Sequence, residues 1–281
     1  MGDSEYIYLE ISDSIKSEYF EEWLRMAAKK QDLCMMRKLI EELNVDPNAE
    51  DAEEGFTSIH IAAAQSDATT LLFFLSLTTK INVNAQDKSG QTPLLKAIIY
   101  GCEEVVRILL APPNLDVNLT DYCGRTALML ACFYGRKTHA KTIVSMLLDH
   151  EHIQVNKAEF NDGETALMIA INEHHPELVR LLLTRDDINI NAQDSEGYSA
   201  LMYSCFNSVT DIAKILLEHE DIDINLTTDF ENENNLEVKC STSVPLKATK
   251  IENALKLACE AHIERPAEAE IISMLLQREE I

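Results

Sequence analysis

Apolar residues in this chain fall into short blocks that recur in a fixed order, with polar punctuation between them. Ala127-Leu128-Met129-Leu130-Ala131-Cys132 is a nearly unbroken apolar run. A polar break follows, then a second stretch closing on Leu147-Leu148, then the pair Val155-Asn156. The first block predicts a helix opened by a hydroxyl cap, since Thr126 stands before it as Thr92 stands before Pro93-Leu94-Leu95. Its alanines let a neighbouring helix approach closely. The second stretch predicts a helix buried on one stripe, with Val105, Ile108 and Leu109 at i, i+3 and i+4. Pro176 suits the first turn of such a helix. The breaks between the two helices carry Gly101, Gly135 and His174-His175.

The order repeats in phase. Gly90-Gln91-Thr92-Pro93-Leu94 is echoed at Gly124-Arg125-Thr126-Ala127-Leu128, Gly163-Glu164-Thr165-Ala166-Leu167 and Gly197-Tyr198-Ser199-Ala200-Leu201, with an earlier copy at Gly55-Phe56-Thr57-Ser58-Ile59. The anchoring glycines lie 35, 34, 39 and 34 residues apart. Val83-Asn84, Val117-Asn118, Val155-Asn156, Ile190-Asn191 and Ile224-Asn225 keep step with them. One helix pair of this kind cannot bury both its faces, so neighbouring pairs must stack.

These motifs closely resemble the ankyrin-repeat family, whose units run Gly-x-Thr-Pro-Leu-His-x-Ala, then a second helix ending in leucines, then Val-Asn-Ala-x-Asp. The resemblance implies an all-α solenoid of helix-turn-helix units joined by β-hairpin-like loops. It divides the chain into an acidic N-terminal segment, 1–18, and a repeat domain, 19–281. Units fall at about 19–54, 55–89, 90–123, 124–162, 163–196, 197–229 and 250–281, with an insertion at about 230–249. The first unit is degenerate, and its charged helices suit an end cap. The last shows Ala254-Leu255-Lys256-Leu257-Ala258-Cys259 and closes with Met274-Leu275-Leu276.

Three departures from the family pattern matter. Its histidine survives only as His60, with Leu95, Met129, Met168 and Met202 at the equivalent positions. Apolar packing is expected to replace the hydrogen bonds that this histidine makes between repeats. The fourth unit is about five residues longer, mostly around Arg136 to Lys141 between its helices. Asp87 precedes Pro93 by six positions but Asp229 precedes Ala254 by 25, so about nineteen residues are inserted there.

Composition narrows the function. Lys and Arg number 24 against 48 Asp and Glu, for a net charge of −24, which repels phosphate backbones and anionic membranes. The basic loop Arg136 to Lys141, beside Phe133-Tyr134, is the one hint of nucleic-acid binding, and the net charge opposes it. No apolar run approaches the roughly 20 residues of a membrane span. Seven scattered cysteines without a Cys-x-x-Cys pair read as reduced and buried. These features together point to a cytoplasmic chain, expected to be a monomer. His150-Glu151-His152 and His174-His175 lack further ligands at zinc-like spacing, so no metal is expected. Asp87, Asp121 and Asp194 recur once per unit and belong to the hairpins; the glycines come singly, so no phosphate loop, cofactor site or catalytic constellation is expected. The N-terminal Glu5-Tyr6-Ile7-Tyr8-Leu9-Glu10-Ile11 reads either as a kinase-recognised segment or as chain packed on the cap.

What remains is binding. Ankyrin proteins meet partners with hairpin tips and first-helix ends. Those positions here collect Ile99, Tyr100, Tyr122, Arg125, Phe133, Tyr134, Tyr198 and Phe206, although aromatics make up only 6% of the chain. Aromatic side chains and arginine dominate binding hot spots because they bury large areas at low entropic cost. Acid from Asp162, Glu164 and Glu173 borders them, so the expected partner is a protein with apolar anchors and basic flanks. Three readings stand open: an adaptor or scaffold, a secreted effector of an intracellular microbe or parasite that captures a host protein, and an enzyme built on the insertion around Cys240.

Overall fold

A computed structural model describes residues 13–65, 68–77, 81–135, 139–228 and 266–278. The tyrosine segment 5–11, residues 136–138 of the basic loop, the insertion with Cys240, and Ala254 to Cys259 lie outside the described residues.

The chain forms two compact units, Met1–Tyr122 and Cys123–Ile281. The first holds α1 (Asp13–Lys30), α2 (Leu33–Arg37, continued by a π turn at Lys38–Glu42), α3 (Ser58–Ala63), α4 (Thr69–Ser76), α5 (Pro93–Tyr100) and α6 (Glu103–Leu109). The second holds α7 (Ala127–Phe133), α8 (Ala140–Leu148), α9 (Ala166–Asn172), α10 (Pro176–Leu182), α11 (Ala200–Phe206), α12 (Thr210–Leu217) and α13 (Pro266–Arg278). Among the described residues there is no strand, only isolated antiparallel bridges at Ala158–Thr165 and Gln193–Ser199.

The first helices α5, α7, α9 and α11 open on hydroxyl caps. The hydroxyls of Thr92, Thr126, Thr165 and Ser199 accept the backbone N–H three residues on, at 3.3, 3.2, 3.4 and 3.4 Å. In the first unit α1 packs on α3 and α3 on α5; in the second α7 packs on α9 and α9 on α11. Second helices cover them from one side, α8 against α10, α10 against α12 and α12 against α13. A first helix is therefore enclosed on several sides, which is why every residue from Ala127 to Cys132 is buried. The second helices bury a stripe only. In α6 that stripe is Val105, Val106 and Leu109, with Ile108 half-buried, a small shift from the predicted face. The last helix presents Ile271 and Leu275 to the core, and Lys214 of α12 pairs with Glu270.

Side chains along the hairpins tie one repeat to the next. Asn84 accepts the Asp116 N–H at Oδ1 (2.9 Å) and donates from Nδ2 to the Asn114 carbonyl (2.7 Å). Asn156 does the same with Asn189 and Asp187 (2.7 and 2.6 Å), and Asn191 with Asp223 and Asp221 (2.8 and 2.7 Å). Asp87 accepts the N–H groups of Ser89 and Gln91, and Asp194 those of Glu196 and Tyr198. The per-unit acids are hairpin architecture.

The methionine substitution for histidine turns out differently from simple apolar replacement. His60 Nδ1 accepts the Thr57 N–H (3.1 Å), so Nε2 carries the proton and donates to the Gln91 carbonyl of the next repeat (3.0 Å). Met129, Met168 and Met202 keep the first half of this arrangement: their Sδ atoms accept the cap N–H of Thr126, Thr165 and Ser199 at 3.3, 3.4 and 3.4 Å. A thioether has no donor, so the bridge to the next repeat is what disappears. The cysteines also divide. Cys102, Cys132 and Cys205 are buried, but Cys34 and Cys123 are exposed because they sit at a helix edge and a hairpin tip. Burial pushes the Cys132 and Cys205 thiols up to about 12, so both stay protonated and inert.

Candidate functional site

In the first unit Tyr100 closes α5 and stands 60% exposed, with Ile99 half-buried beside it. The helix ends there because Gly101 takes the left-handed conformation (φ 71°). Tyr122 sits at a hairpin tip, 69% exposed, its N–H bonded to the Ser89 carbonyl (3.1 Å). Its backbone and ring lie so close over Gly90 (φ 75°) that a Cβ there would meet the Tyr122 nitrogen at 2.7 Å. The glycine is required by this approach as much as by its own turn.

In the second unit Phe133 ends α7, 45% exposed, and Tyr134 packs edge-on against it at 5.1 Å. Phe206 ends α11, 62% exposed. Arg125, Tyr134 and Tyr198 are half-buried, and the Tyr198 ring lies 6.0 Å from that of Tyr203. Of the eight residues singled out from sequence, Tyr100, Tyr122, Phe133 and Phe206 are thus open to a partner, while the other four lean on neighbours.

Sequence reasoning missed Phe160, 67% exposed on the next hairpin. Its N–H bonds the Cys123 carbonyl (2.8 Å), and its ring crosses Gly124 as Tyr122 crosses Gly90. A signal was available: Asn156 precedes Gly163 by seven positions, whereas Asn118 precedes Gly124 by six. The extra residue loops out, and Glu159 takes the aspartate's place, accepting the N–H groups of Asn161, Asp162 and Gly163. Burial works to raise the Glu159 carboxyl, but these backbone donors outweigh it and hold the carboxyl below its usual range.

A polar network runs across the first helices of the second unit. Asn207 donates to Asn172 Oδ1 (2.9 Å), Asn172 donates to Glu164 Oε1 (2.5 Å), and the Tyr203 hydroxyl donates to Asp194 Oδ2 (2.6 Å). Burial raises the Glu164 carboxyl above its ordinary value, and the charges of Asp162, Glu159 and Asp194 push the same way. Burial likewise raises the Tyr203 phenol, with its bond to Asp194 adding to the effect. Among the described residues no ion pair joins Glu164, Asp162 or Asp194 to a lysine or arginine. Glu164 and Asp194 are held in place by neutral donors.

The first unit also holds a groove of about 780 Å³ beneath α1, lined among others by Tyr19, Met26, Phe56 and Ile61. The sequence reads this end as a degenerate, charged cap; α1 also exposes Tyr19, Trp23 and Met26, at i, i+4 and i+7. Among the described residues no three His, Cys, Asp or Glu side chains converge on one point, and His150 and His152 face each other with ring centres 6.0 Å apart. No helix of the described residues is long and apolar enough to cross a membrane.

Comparison with known proteins follows this geometry. The family model described as ankyrin repeats (3 copies) matches residues 24–121, 113–194 and 161–228. No curated protein matches the chain in sequence. Among solved structures it is similar to the ankyrin repeat domain of Bcl-3, a member of the IkappaB protein family. There the TM-score is 0.68 and the identity 22%, covering 90% of this chain and 97% of that one. It is also similar to a chain in the complex of the Bd0816 predatory endopeptidase from Bdellovibrio bacteriovorus with immunity protein Bd3460. There the TM-score is 0.56 and the identity 26%, covering 70% of this chain and 97% of that one.

Proposed function

We propose, from the premise that this chain belongs to the ankyrin-repeat family, that it is a non-enzymatic adaptor or scaffold whose exposed aromatic residues capture a partner protein. Ankyrin repeats are protein-interaction modules, and one observation carries the finer reading. Tyr100 and Tyr122 in the first unit, and Phe133 and Phe206 in the second, keep large aromatic surfaces in solvent at positions where neither capping nor core packing needs them. Arg125, Tyr134, Tyr198 and Ile99 border them as half-buried supports.

The partner has apolar anchors for these rings and basic flanks for the acid around Glu164. The burial-raised, cation-free Glu164 carboxyl supports the basic component. Free cysteines at Cys34, Cys102, Cys123, Cys132 and Cys205 support work in a reducing cytoplasm. The solved likeness within an endopeptidase–immunity protein complex is in keeping with protein capture.

The test combines affinity capture with mass spectrometry and a double variant, Phe133→Ala with Phe206→Ala. The variant is expected to weaken the captured partner by about 2–4 kcal/mol, roughly 30- to 1,000-fold in Kd, with thermal unfolding nearly unchanged. Unaltered affinity in a folded variant would sink the assignment.

A further inference from the structure

Two repeats of this chain fill the same position in opposite ways. Nine residues beyond the hairpin aspartate, one repeat has Lys96 after Asp87 and a later one has Tyr203 after Asp194. The Lys96 ammonium meets Asp87 Oδ2 at 2.9 Å and donates to Gln91 Oε1 at 3.1 Å, so one acid and one neutral amide surround a cation. The Tyr203 hydroxyl donates to Asp194 Oδ2 at 2.6 Å, and the Glu164 carboxyl stands against the same phenol. Here two acids surround a neutral group. The positive charge that balances the first arrangement is missing from the second.

The hydrogen bonds show where a proton makes up the difference. Asn207 donates to Asn172 Oδ1 (2.9 Å), and Asn172 donates to Glu164 Oε1 (2.5 Å). At the other end Asp194 has both oxygens engaged: Oδ1 accepts the N–H groups of Glu196 and Tyr198, and Oδ2 takes the phenol hydrogen. The phenol has committed its one hydrogen to Asp194, so toward Glu164 it offers only oxygen lone pairs. A carboxylate there meets lone pairs, whereas a carboxylic acid donates to them. With that proton in place, donation runs unbroken from Asn207 through Asn172, Glu164 and Tyr203 to Asp194. The chain of bonds passes back and forth between the repeat of α9 and the repeat of α11, and so ties the two together.

The surroundings favour the acid form. Desolvation of the half-buried Glu164 is the largest influence and lifts its carboxyl above the ordinary range. Asp162 and Glu159 on its own hairpin and Asp194 on the next bring negative charge that pushes the same way, while α9 and α11 bring neutral Asn172 and Tyr203. Arg125 fills the corresponding position of the preceding repeat, yet among the described residues no ion pair joins Glu164 to it or to any lysine.

We propose that Glu164, Tyr203 and Asp194 form a proton-operated clamp between these two repeats: Glu164 as a carboxylic acid donates to the phenol oxygen, and loss of its proton to solvent loosens the junction. The folded chain binds this proton more tightly than the unfolded chain does. The clamp's share of stability is therefore fully present below the ordinary carboxylate value of 4.5, and is lost as pH rises through the higher folded value.

The test uses the full chain with no partner present, so its outcome is independent of partner capture by the exposed aromatic residues. Carboxyl carbon-13 NMR of glutamate-labelled protein follows Glu164, identified by the signal that disappears in Glu164→Gln. That signal is expected to titrate with a midpoint above 4.5. Urea unfolding then compares the two proteins at pH 5 and pH 7.5. Glu164→Gln keeps a donor toward the phenol at every pH, so its gain in urea midpoint should be several-fold larger at pH 7.5 than at pH 5. Tyr203→Lys supplies the cation seen beside Asp87, and in that background Glu164→Gln should lower the midpoint at pH 7.5. A Glu164 titration at or below 4.5 overturns the proposal, as does an equal effect of Glu164→Gln at both pH values. A Glu164→Gln that still raises the midpoint in the lysine background overturns it too. Should Tyr203→Lys fail to fold, the first two readouts decide alone.

Discussion

His60 shows how much one side chain does at the junction between two repeats. It is fully buried, takes the cap N–H of its own helix and hands a proton to the carbonyl of the next repeat. Burial lowers its pKa from the ordinary value, so the folded state keeps it neutral while the unfolded chain takes up a proton from about pH 6.5 downward. The folded pKa is the lower one, so its share of stability is present above about 6.5 and is lost as pH falls toward the folded value. Urea unfolding followed through Trp23, the chain's single tryptophan, should show a lower midpoint at pH 5 than at pH 7.5. In His60→Leu the midpoint should be lower at pH 7.5 but change less between the two. Equal pH slopes in the two proteins would remove His60 from the explanation.

At the scale of the element, the hairpin is held less by strand pairing than by asparagine. Each of Asn84, Asn156 and Asn191 makes one bond as acceptor and one as donor to the segment that leads into the next hairpin. The spacing of about one repeat between partners is what turns a local turn into a continuous array. Asn191→Ala removes both bonds while leaving the turn residues in place, and should cost about 1–3 kcal/mol in chemical denaturation. Loss in Asn191→Asp should be smaller, because the acceptor bond to Asp223 N–H survives; equal losses would show that the acceptor bond contributes nothing. The helices follow the same economy of means: a hydroxyl cap, a near-uniform apolar run and a left-handed residue at the end, which is Gly101 in one repeat but His174 and Ser208 in others.

For the whole molecule, the charge of −24 sets the terms of any encounter. A field of this size speeds association with a basic partner and is screened within about 10 Å at 0.1 M salt. The association rate with the captured partner should therefore fall about tenfold or more between 50 and 500 mM salt, with a smaller change in the dissociation rate, as stopped-flow mixing would show. A salt-independent association rate would contradict the basic-flanked partner.

The sequence by itself determined the repeat, the helix pairs, the caps at Thr92, Thr126, Thr165 and Ser199, and the structural part played by Asp87 and Asp194. All of these follow from local rules that recur every 34 or so residues, so one copy checks another. It also marked the aromatic positions, because the repeat numbering alone says which residues stand at hairpin tips and helix ends. How open each one is was decided only in three dimensions, since exposure depends on the side chains of the adjoining repeat: Phe206 stands free while Tyr198 leans on Tyr203. The thioether caps were not legible because a methionine reads as apolar packing until its sulfur is placed beside the cap N–H, and the groove under α1 was not because its lining comes from separate stretches of the chain. The Phe160 hairpin left a trace in the extra residue between Asn156 and Gly163, but the exposure of its ring did not.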